Sequence, residues 1–177
     1  MTNFIIPVLG ISVLSLFAFC YFIFTFLFVY ALFFGAPYVP IPKNGLDKMV
    51  EFANIKFGQK AVDLGSGDGR IMIAMAKAGA IVHGYEINPL LVWWTQRKIK
   101  KEGLEGKVFV HLKSFWNADL SSFDIVTLFG VRKIMGRLEE KLDKELKPGA
   151  KIISFGFSFP NRQYLKKEQA TFLYEKK

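Results

Sequence analysis

The sequence predicts an α/β protein, a doubly wound parallel sheet preceded by one transmembrane helix. Three observations carry that prediction. From residue 59 onward, short apolar runs of strand length alternate with segments of helical periodicity, and such alternation implies βαβ units around a parallel sheet. A glycine-rich turn, GSGDGR, stands between the first of these strands and the helix that follows it. No Asp, Glu, Lys or Arg occurs before Lys43, so every charge lies in the remainder of the chain.

The run from Ile5 to Phe34, IIPVLGISVLSLFAFCYFIFTFLFVYALFF, is almost unbroken hydrocarbon. At ~1.5 Å rise per residue a helix of ~27 residues reaches ~40 Å, enough to cross a ~30 Å hydrocarbon core with some tilt. Pro7 suits a first helical turn, where its missing N–H is harmless. A cleaved signal peptide fits less well: there is no basic n-region, the apolar run is about twice too long, and no A-x-A site follows. Phe19, bulky and directly before Cys20, argues against lipoprotein cleavage. Residues 1–36 are therefore expected to be a retained single-pass membrane anchor. With all Lys and Arg beyond it, the rest of the chain is expected on the cytoplasmic or a matrix-like side. Cys20 is the only cysteine, so no disulfide forms within the chain, and with two His it makes no conventional structural zinc site. No metal is expected.

Residues 37–58 read as a linker and a lead-in helix. GAPYVPIPKNG places three prolines between Pro37 and Pro42, which holds it extended and stiff. LDKMVEFANI then carries Leu46, Met49, Val50 and Ala53 at helical spacing. Residues 59–177 form the main domain. KAVDLG reads as a strand, RIMIAMAKAG as a helix with Met72 and Met75 in the core, and AIVHGYEI as a second strand. PLLVWWTQRKIKKEG is a helix ended by Gly103; Trp93 and Trp94 cannot share one side of it, so one is expected in the core and the other at the cofactor or an interface. KVFVHL is a third strand, KSFWNADLSS irregular, FDIVTLFG a fourth strand, and VRKIMGRLEEKLDKEL a helix stopped by Pro148-Gly149. AKIISFGFSF is a fifth strand with no evident helix after it, and QATFLYEK suits a last strand. His83 and His111 fall within strands and read as packing residues, whereas Asp124 suits a structural or a functional role equally. The net charge of +9 and the RKIKK run imply a solvated or membrane-facing basic surface. Nucleic-acid binding is not expected, since it would want interleaved exposed aromatics or a known module.

The glycine turn lies at the crevice where such sheets bind ligands, and Glu86 ends the second strand about 20 residues on, where an acid can accept both hydroxyls of a ribose. The nicotinamide and flavin pattern is G-x-G-x-x-G, which seats a pyrophosphate on the helix N-terminus. Here the spacing is Gly65-x-Gly67-x-Gly69, with Asp63 two residues before the first glycine. A carboxylate there, with Asp68 inside the loop, would repel a pyrophosphate and suit a cofactor with a cationic end. S-adenosyl-L-methionine carries an ammonium and a sulfonium, and no phosphate.

VDLGSGDGR with GYEINP resembles motif I and the following acid of class I S-adenosylmethionine-dependent methyltransferases, whose fold is Rossmann-like. APYVPIP, VDLGSGDGRI, GYEINPLLVWW, SFWNADLSSFD, LEEKL and LKPGAKIISFGFSFP resemble, in that order, the adenine nucleotide translocase and ATP synthase c-subunit lysine N-methyltransferase family. Its members likewise carry one N-terminal hydrophobic segment before a small domain. The resemblance implies that Asp63, Gly65, Ser66, Gly67 and Gly69 cradle the methionyl part of the cofactor, that Glu86, with Ile87 beside it, holds the ribose, and that Ser114, Phe115 and Trp116 flank the adenine. Where the family more often has Asp-Leu-Trp this chain has Ser114-Phe115-Trp116, so Ser114 or the backbone must replace an acid at the adenine amino group. PYVPIP is either a rigid spacer or, as the resemblance implies, a segment folded back over the cofactor with Tyr38 near the reacting methyl.

A lysine acceptor must lose its proton, and its ordinary pKa of ~10.4 keeps it charged at neutral pH. Burial among aromatic rings lowers that pKa without a dedicated base, and rings also hold a methylated ammonium. Tyr38 and Phe129 are the candidate catalytic residues lining such an acceptor channel, with Phe155 and Phe157 as further aromatics. The fourth strand ends LFGV, without the Asn or Asp, Pro, Pro, aromatic signature of enzymes that methylate base amines or glutamine. The family resemblance implies a membrane-anchored protein-lysine N-methyltransferase acting on a membrane or membrane-proximal protein. Two alternatives stand beside it: a methyltransferase for a small lipophilic acceptor such as a quinone or lipid, and a non-catalytic membrane scaffold that keeps the cofactor fold for packing.

Overall fold

The computed structural model describes residues 13–26, 28–29 and 39–177. The chain divides into two compact units, Met1–Pro37 and Tyr38–Lys177. In the first unit, residues 13–26 and 28–29 are helical, and the large apolar side chains described there are exposed. Among the described residues no helix is long and apolar enough to cross a membrane. The expected span Ile5–Phe34 falls in part on residues outside those described.

The second unit is the predicted α/β sheet, and its alternation follows the sequence pattern closely. Helix α1 (Lys43–Ala53) precedes β1 (Lys60–Leu64), α2 (Arg70–Lys77), β2 (Ile81–Glu86), α3 (Pro89–Lys101) and β3 (Val108–Leu112). A single 3-10 turn, Phe115–Asn117, is followed by β4 (Ile125–Phe129), α4 (Arg132–Glu145), β5 (Lys151–Phe155), β6 (Lys166–Glu168) and β7 (Thr171–Glu175). The strand order is β3-β2-β1-β4-β5-β7-β6. Strands β1 to β5 pair in parallel, and β7 pairs antiparallel with both β5 and β6. The chain reverses direction beside β1, between the β1–β2 and β1–β4 pairs, and such a switch point opens a crevice at the carboxyl ends of the strands.

Period-two alternation divides the core in two. Ala61, Val82, Val108, Ile125 and Ile153 pack with Met49, Phe52, Met72, Met75 and Ile99 from the first three helices. Val62, Leu64, Val126, Leu128 and Ile152 face the other way, against Met135, Leu138 and Leu142 of α4. Helix α1 thus packs into the domain's core. Met49 is fully buried and Phe52 nearly so, and each such side chain contributes roughly 1.5–3 kcal/mol by leaving water. Gly45 lets α1 sit this close, because a Cβ there would lie 2.5 Å from the Phe155 ring. Asn88 caps α3, its side-chain oxygen accepting from the backbone N–H of Leu90 at 3.0 Å, with Pro89 at the first helical position.

The structure corrects one sequence expectation and adds to the reading at two other places. β6 was not anticipated: Lys-Lys-Glu has no apolar alternation, and it forms as a short edge strand zipped onto β7 around Gln169, whose φ is 50°. Trp93 and Trp94 are both exposed, at 52% and 58%, because Val92, Thr95 and Ile99 already fill the buried side of α3. Asp124 resolves as structural, accepting from the Lys60 N–H at 2.8 Å and pairing with Lys147 at 2.6 Å.

Candidate functional site

The site is built where β1 ends. Gly65, Gly67 and Gly69 take φ values of 84°, 54° and 76°, a left-handed conformation that glycine adopts without penalty. The N–H groups of Gly65 and Ser66 donate to the Tyr85 carbonyl at 2.9 and 3.1 Å, which ties the loop to β2. Helix α3 closes on the loop from the side. The Thr95 hydroxyl donates to the Gly67 carbonyl at 3.2 Å, and a Cβ on Gly69 would stand 2.5 Å from Thr95 Cγ2. Gly69 is therefore required twice, for its dihedral and for this approach.

Asp63 is 1% exposed, on the inner side of β1. Its register partner on β4 is Thr127, whose hydroxyl donates to Asp63 Oδ1 at 2.8 Å. Oδ2 has no hydrogen-bond partner among the described residues. Burial pushes the carboxyl pKa up to about 7; the Thr127 hydrogen bond pulls it down, while the charges of Glu86 and Asp68 push it up further. An orphaned buried carboxylate is costly unless something cationic meets it. Ser66 Oγ, on the same loop, is also buried without a partner among the described residues.

Glu86 sits at the end of β2, as predicted. Its Oε2 accepts from the Gly67 N–H at 2.9 Å, and its Oε1 from the N–H groups of Ile87 and Asn88, both at 2.8 Å. Three backbone donors thus fix the carboxylate between the glycine loop and the start of α3, and lone-pair capacity remains for a hydroxyl pair.

Asp68 behaves differently from the sequence expectation. It does not present a free charge to a ligand. Arg70 holds it with Nε at 2.9 Å and Nη2 at 3.0 Å, and Lys98 with Nζ at 2.6 Å. Burial raises the Asp68 carboxyl, but the Arg70 and Lys98 hydrogen bonds outweigh it and bring the pKa down to about 2. Arg70 also donates from Nη1 to the Ile41 carbonyl at 2.9 Å, and Ile41 is buried in the core. The last residues of PYVPIP are thereby tied to the loop. Tyr38, in the same motif, lies outside the described residues.

Ser114, Phe115, Trp116, Phe129, Phe155 and Phe157 lie at or just beyond the carboxyl ends of β3, β4 and β5. Ser114 caps the 3-10 turn, its hydroxyl accepting weakly from the Trp116 N–H at 3.4 Å. Phe115 and Trp116 stack at a tilt, 4.8 Å between centroids, and Arg137 covers the Trp116 ring at 4.4 Å. Phe129, at the end of β4, meets Phe155 edge to face at 5.2 Å, and Gly156 (φ 86°) brings the backbone against it. Phe157 packs instead with the α4 side of the core. His83 and His111 pair with each other on β2 and β3, Nδ1 to Nε2 at 3.0 Å, away from the loop-facing side of the sheet. No group of three or more metal-ligating side chains occurs among the described residues.

Sequence reasoning missed Thr95, Thr127, Arg70 and Lys98. Thr127 was findable in principle, since parallel strands bring their ends together at a switch point. The other three needed the helix positions first.

The loop geometry and the orphaned Asp63 oxygen fit a small ligand with a cationic end and a ribose. Known proteins agree with that fit. The model of the ANTKMT methyltransferase domain matches residues 63–166. The ATP synthase c-subunit lysine N-methyltransferase of Rattus norvegicus is 39% identical over 125 residues, which is 71% of this chain and 57% of that protein. The protein-lysine N-methyltransferase of Saccharolobus islandicus is 36% identical over 123 residues, 68% of this chain and 76% of that protein. An RNA methyltransferase from Salinibacter ruber, crystallised with S-adenosyl-L-homocysteine, aligns with a TM-score of 0.73 at 30% identity, over 78% of this chain and 92% of that one. The chain spans little more than half the length of the mammalian relatives it matches.

Proposed function

The chain belongs to the ANTKMT methyltransferase domain family of S-adenosylmethionine-dependent enzymes, and on that premise we propose that it methylates a lysine side chain of a membrane or membrane-proximal protein. Bound S-adenosylmethionine supplies the electrophilic methyl and a neutral thioether as leaving group. The protein supplies alignment, charge and dryness. Asp63 receives the cationic end of the methionyl part, through the oxygen that nothing else in the described fold satisfies. The Gly65–Gly69 backbone, with Ser66, shapes the cradle, and Glu86 holds the ribose from a position fixed by three N–H groups. Ser114, Phe115 and Trp116 flank the adenine, with Ser114 or the backbone meeting its amino group.

The observation that carries the acceptor class is the Phe129–Phe155 pair at the carboxyl ends of β4 and β5. Residues 125–131 and 152–160 contain no Asp, Glu or His, so these strand ends offer rings and no base. Desolvation against Phe129 lowers the amine pKa and frees its lone pair for in-line attack. The released proton goes to solvent before the amine seats. The names of the ATP synthase and protein-lysine relatives point to the same acceptor class. The uncharged stretch before Lys43 supports an N-terminal anchor that keeps the domain beside a bilayer.

Incubating membranes with methyl-labelled cofactor and the full chain, then separating protein from lipid, tests this reading. Label should appear in protein and, after acid hydrolysis, as methylated lysine. Label confined to the lipid fraction would overturn the lysine assignment in favour of a lipophilic acceptor.

A further inference from the structure

One face of α3 is left uncovered in a way that neither the cofactor site nor the core explains. Val92, Thr95 and Ile99 bury the inner side of the helix. On a 3.6-residue repeat, Leu90, Trp93, Trp94, Arg97 and Lys101 fall on the opposite side, with Lys100 at its margin. Leu90, Trp93 and Trp94 are 58%, 52% and 58% exposed, and Arg97, Lys100 and Lys101 are exposed as well. No acidic residue occurs between Pro89 and Lys101, and the first that follows, Glu102, is paired with Lys77 at 2.7 Å. Lys98, the other cation of the RKIKK run, turns inward to Asp68. The run therefore divides into one structural lysine and three outward cations. Two adjacent exposed tryptophans beside a leucine form an apolar patch of a kind that usually marks an interaction site.

We infer that this face of α3 is an interfacial contact for an anionic lipid surface. Tryptophan favours the headgroup level of a bilayer, where its ring is half apolar and half wet, and exposed cations beside it draw anionic headgroups. The distribution along the helix suits that contact. The apolar residues occupy the N-terminal half and the cations the C-terminal half, so a shallow tilt sinks the first and leaves the second among headgroups. Arg97 lies over the Trp93 ring at 4.1 Å. That covers one face of one of the two exposed rings, and the clustering of Leu90, Trp93 and Trp94 apart from the cations suits a lipid surface better than the interleaved rings and cations of a single-strand groove. The apolar half begins at Leu90, directly after the Asn88 cap whose N–H donates to Glu86 Oε1, so the contact lies at the end of α3 nearest Glu86. The contact goes beyond the proposed reaction and is independent of which acceptor is methylated.

The test uses tryptophan emission from the full chain reconstituted in vesicles, because the chain's three tryptophans separate cleanly. Emission in phosphatidylcholine vesicles containing about 30% phosphatidylglycerol should shift to the blue and be quenched by brominated lipid. Trp116→Phe should keep that quenchable emission and Trp93→Phe/Trp94→Phe should lose it. Reversing Arg97, Lys100 and Lys101 to Glu should abolish the quenching while the protein still floats with the vesicles, which separates this contact from any N-terminal anchoring. Purely zwitterionic vesicles should give little quenching, and raised salt should reduce it. Emission from Trp93 and Trp94 that is unmoved by anionic vesicles would overturn the inference. So would quenching that survives the triple reversal, or quenching by an added oligonucleotide in place of lipid.

Discussion

Asp63 at the end of β1 and Asp68 in the loop that follows lie five residues apart, yet their surroundings treat them as opposites. Asp63 is buried, holds one hydroxyl bond, leaves one oxygen orphaned and has its pKa pushed up to about 7. Asp68 is gripped by Arg70 and Lys98 and sits at about 2. The first is a charge the fold tolerates without satisfying, and the second is a charge the fold uses up. A carboxylate that the protein leaves unpaired is available to a ligand, whereas a neutralised one belongs to the architecture. Motif logic alone assigns both to the cofactor, and only the partners tell them apart.

The largest effect should come from Asp63→Asn. Losing a charge-assisted contact removes about 1.5–3 kcal/mol of cofactor affinity, roughly 10- to 150-fold, which calorimetry with S-adenosylhomocysteine will read. The melting temperature of the free protein should hold or rise, because the variant removes an unpaired buried charge. A fall in melting temperature with unchanged affinity would reverse the roles assigned to the two aspartates.

The pH dependence sharpens the same contrast. With a folded pKa raised to about 7, Asp63 contributes stability below the ordinary aspartate range and loses it as pH rises through about 7. A bound ammonium favours the ionised form, so cofactor affinity should fall by about tenfold per pH unit below that value. Asp68 carries the opposite sign: its stabilisation is present above the ordinary aspartate range and lost only as pH falls through about 2. Affinity that is flat between pH 5 and about 7 would contradict the Asp63 assignment.

Asp68→Asn should act on stability first. Its partners are partly solvated, so after screening the loss is about 1 kcal/mol, visible as a lower melting temperature and faster amide exchange in the loop. Cofactor affinity should drop less than for Asp63→Asn. If it drops more, Asp68 belongs to the ligand site.

The smallest expected effect is at the histidine pair. Burial lowers the pKa of both His83 and His111, which also face the charges of Lys60 and Lys113. A depressed folded pKa gives stability that is present above the ordinary histidine value of ~6.5 and lost as pH falls below it. Thermal melts between pH 7.5 and 5.5 should show that slope, and His83→Phe should flatten it. A slope that persists in the variant would assign it elsewhere.

The sheet was legible because its strands are apolar runs closed by Gly, Pro and capping residues, and because buried parallel strands leave little ambiguity of period. β6 was not, since Lys166–Glu168 owes its strand form to pairing with β7 rather than to its own side chains. The glycines, Asp63 and Glu86 were readable from spacing, which local backbone geometry dictates. The clamp on Asp68 was not, because Lys98 lies 30 residues away and reaches it only once α3 has packed. Trp93 and Trp94 misled for a related reason: hydrophobicity argues for burial, but smaller residues had already taken the inner face of α3.

The most direct measurement is the proton balance of cofactor binding at pH 7, read by calorimetry in buffers of different ionisation enthalpy. Burial raises the Asp63 carboxyl to about 7 and leaves it partly protonated there, so binding of S-adenosylhomocysteine, which keeps the ammonium, should release a fraction of a proton. Asp63→Asn should release none from this position, while Asp68→Asn should behave like the parent chain. Binding with no buffer dependence in the parent chain would contradict the assignment of Asp63 to the cationic end of the cofactor.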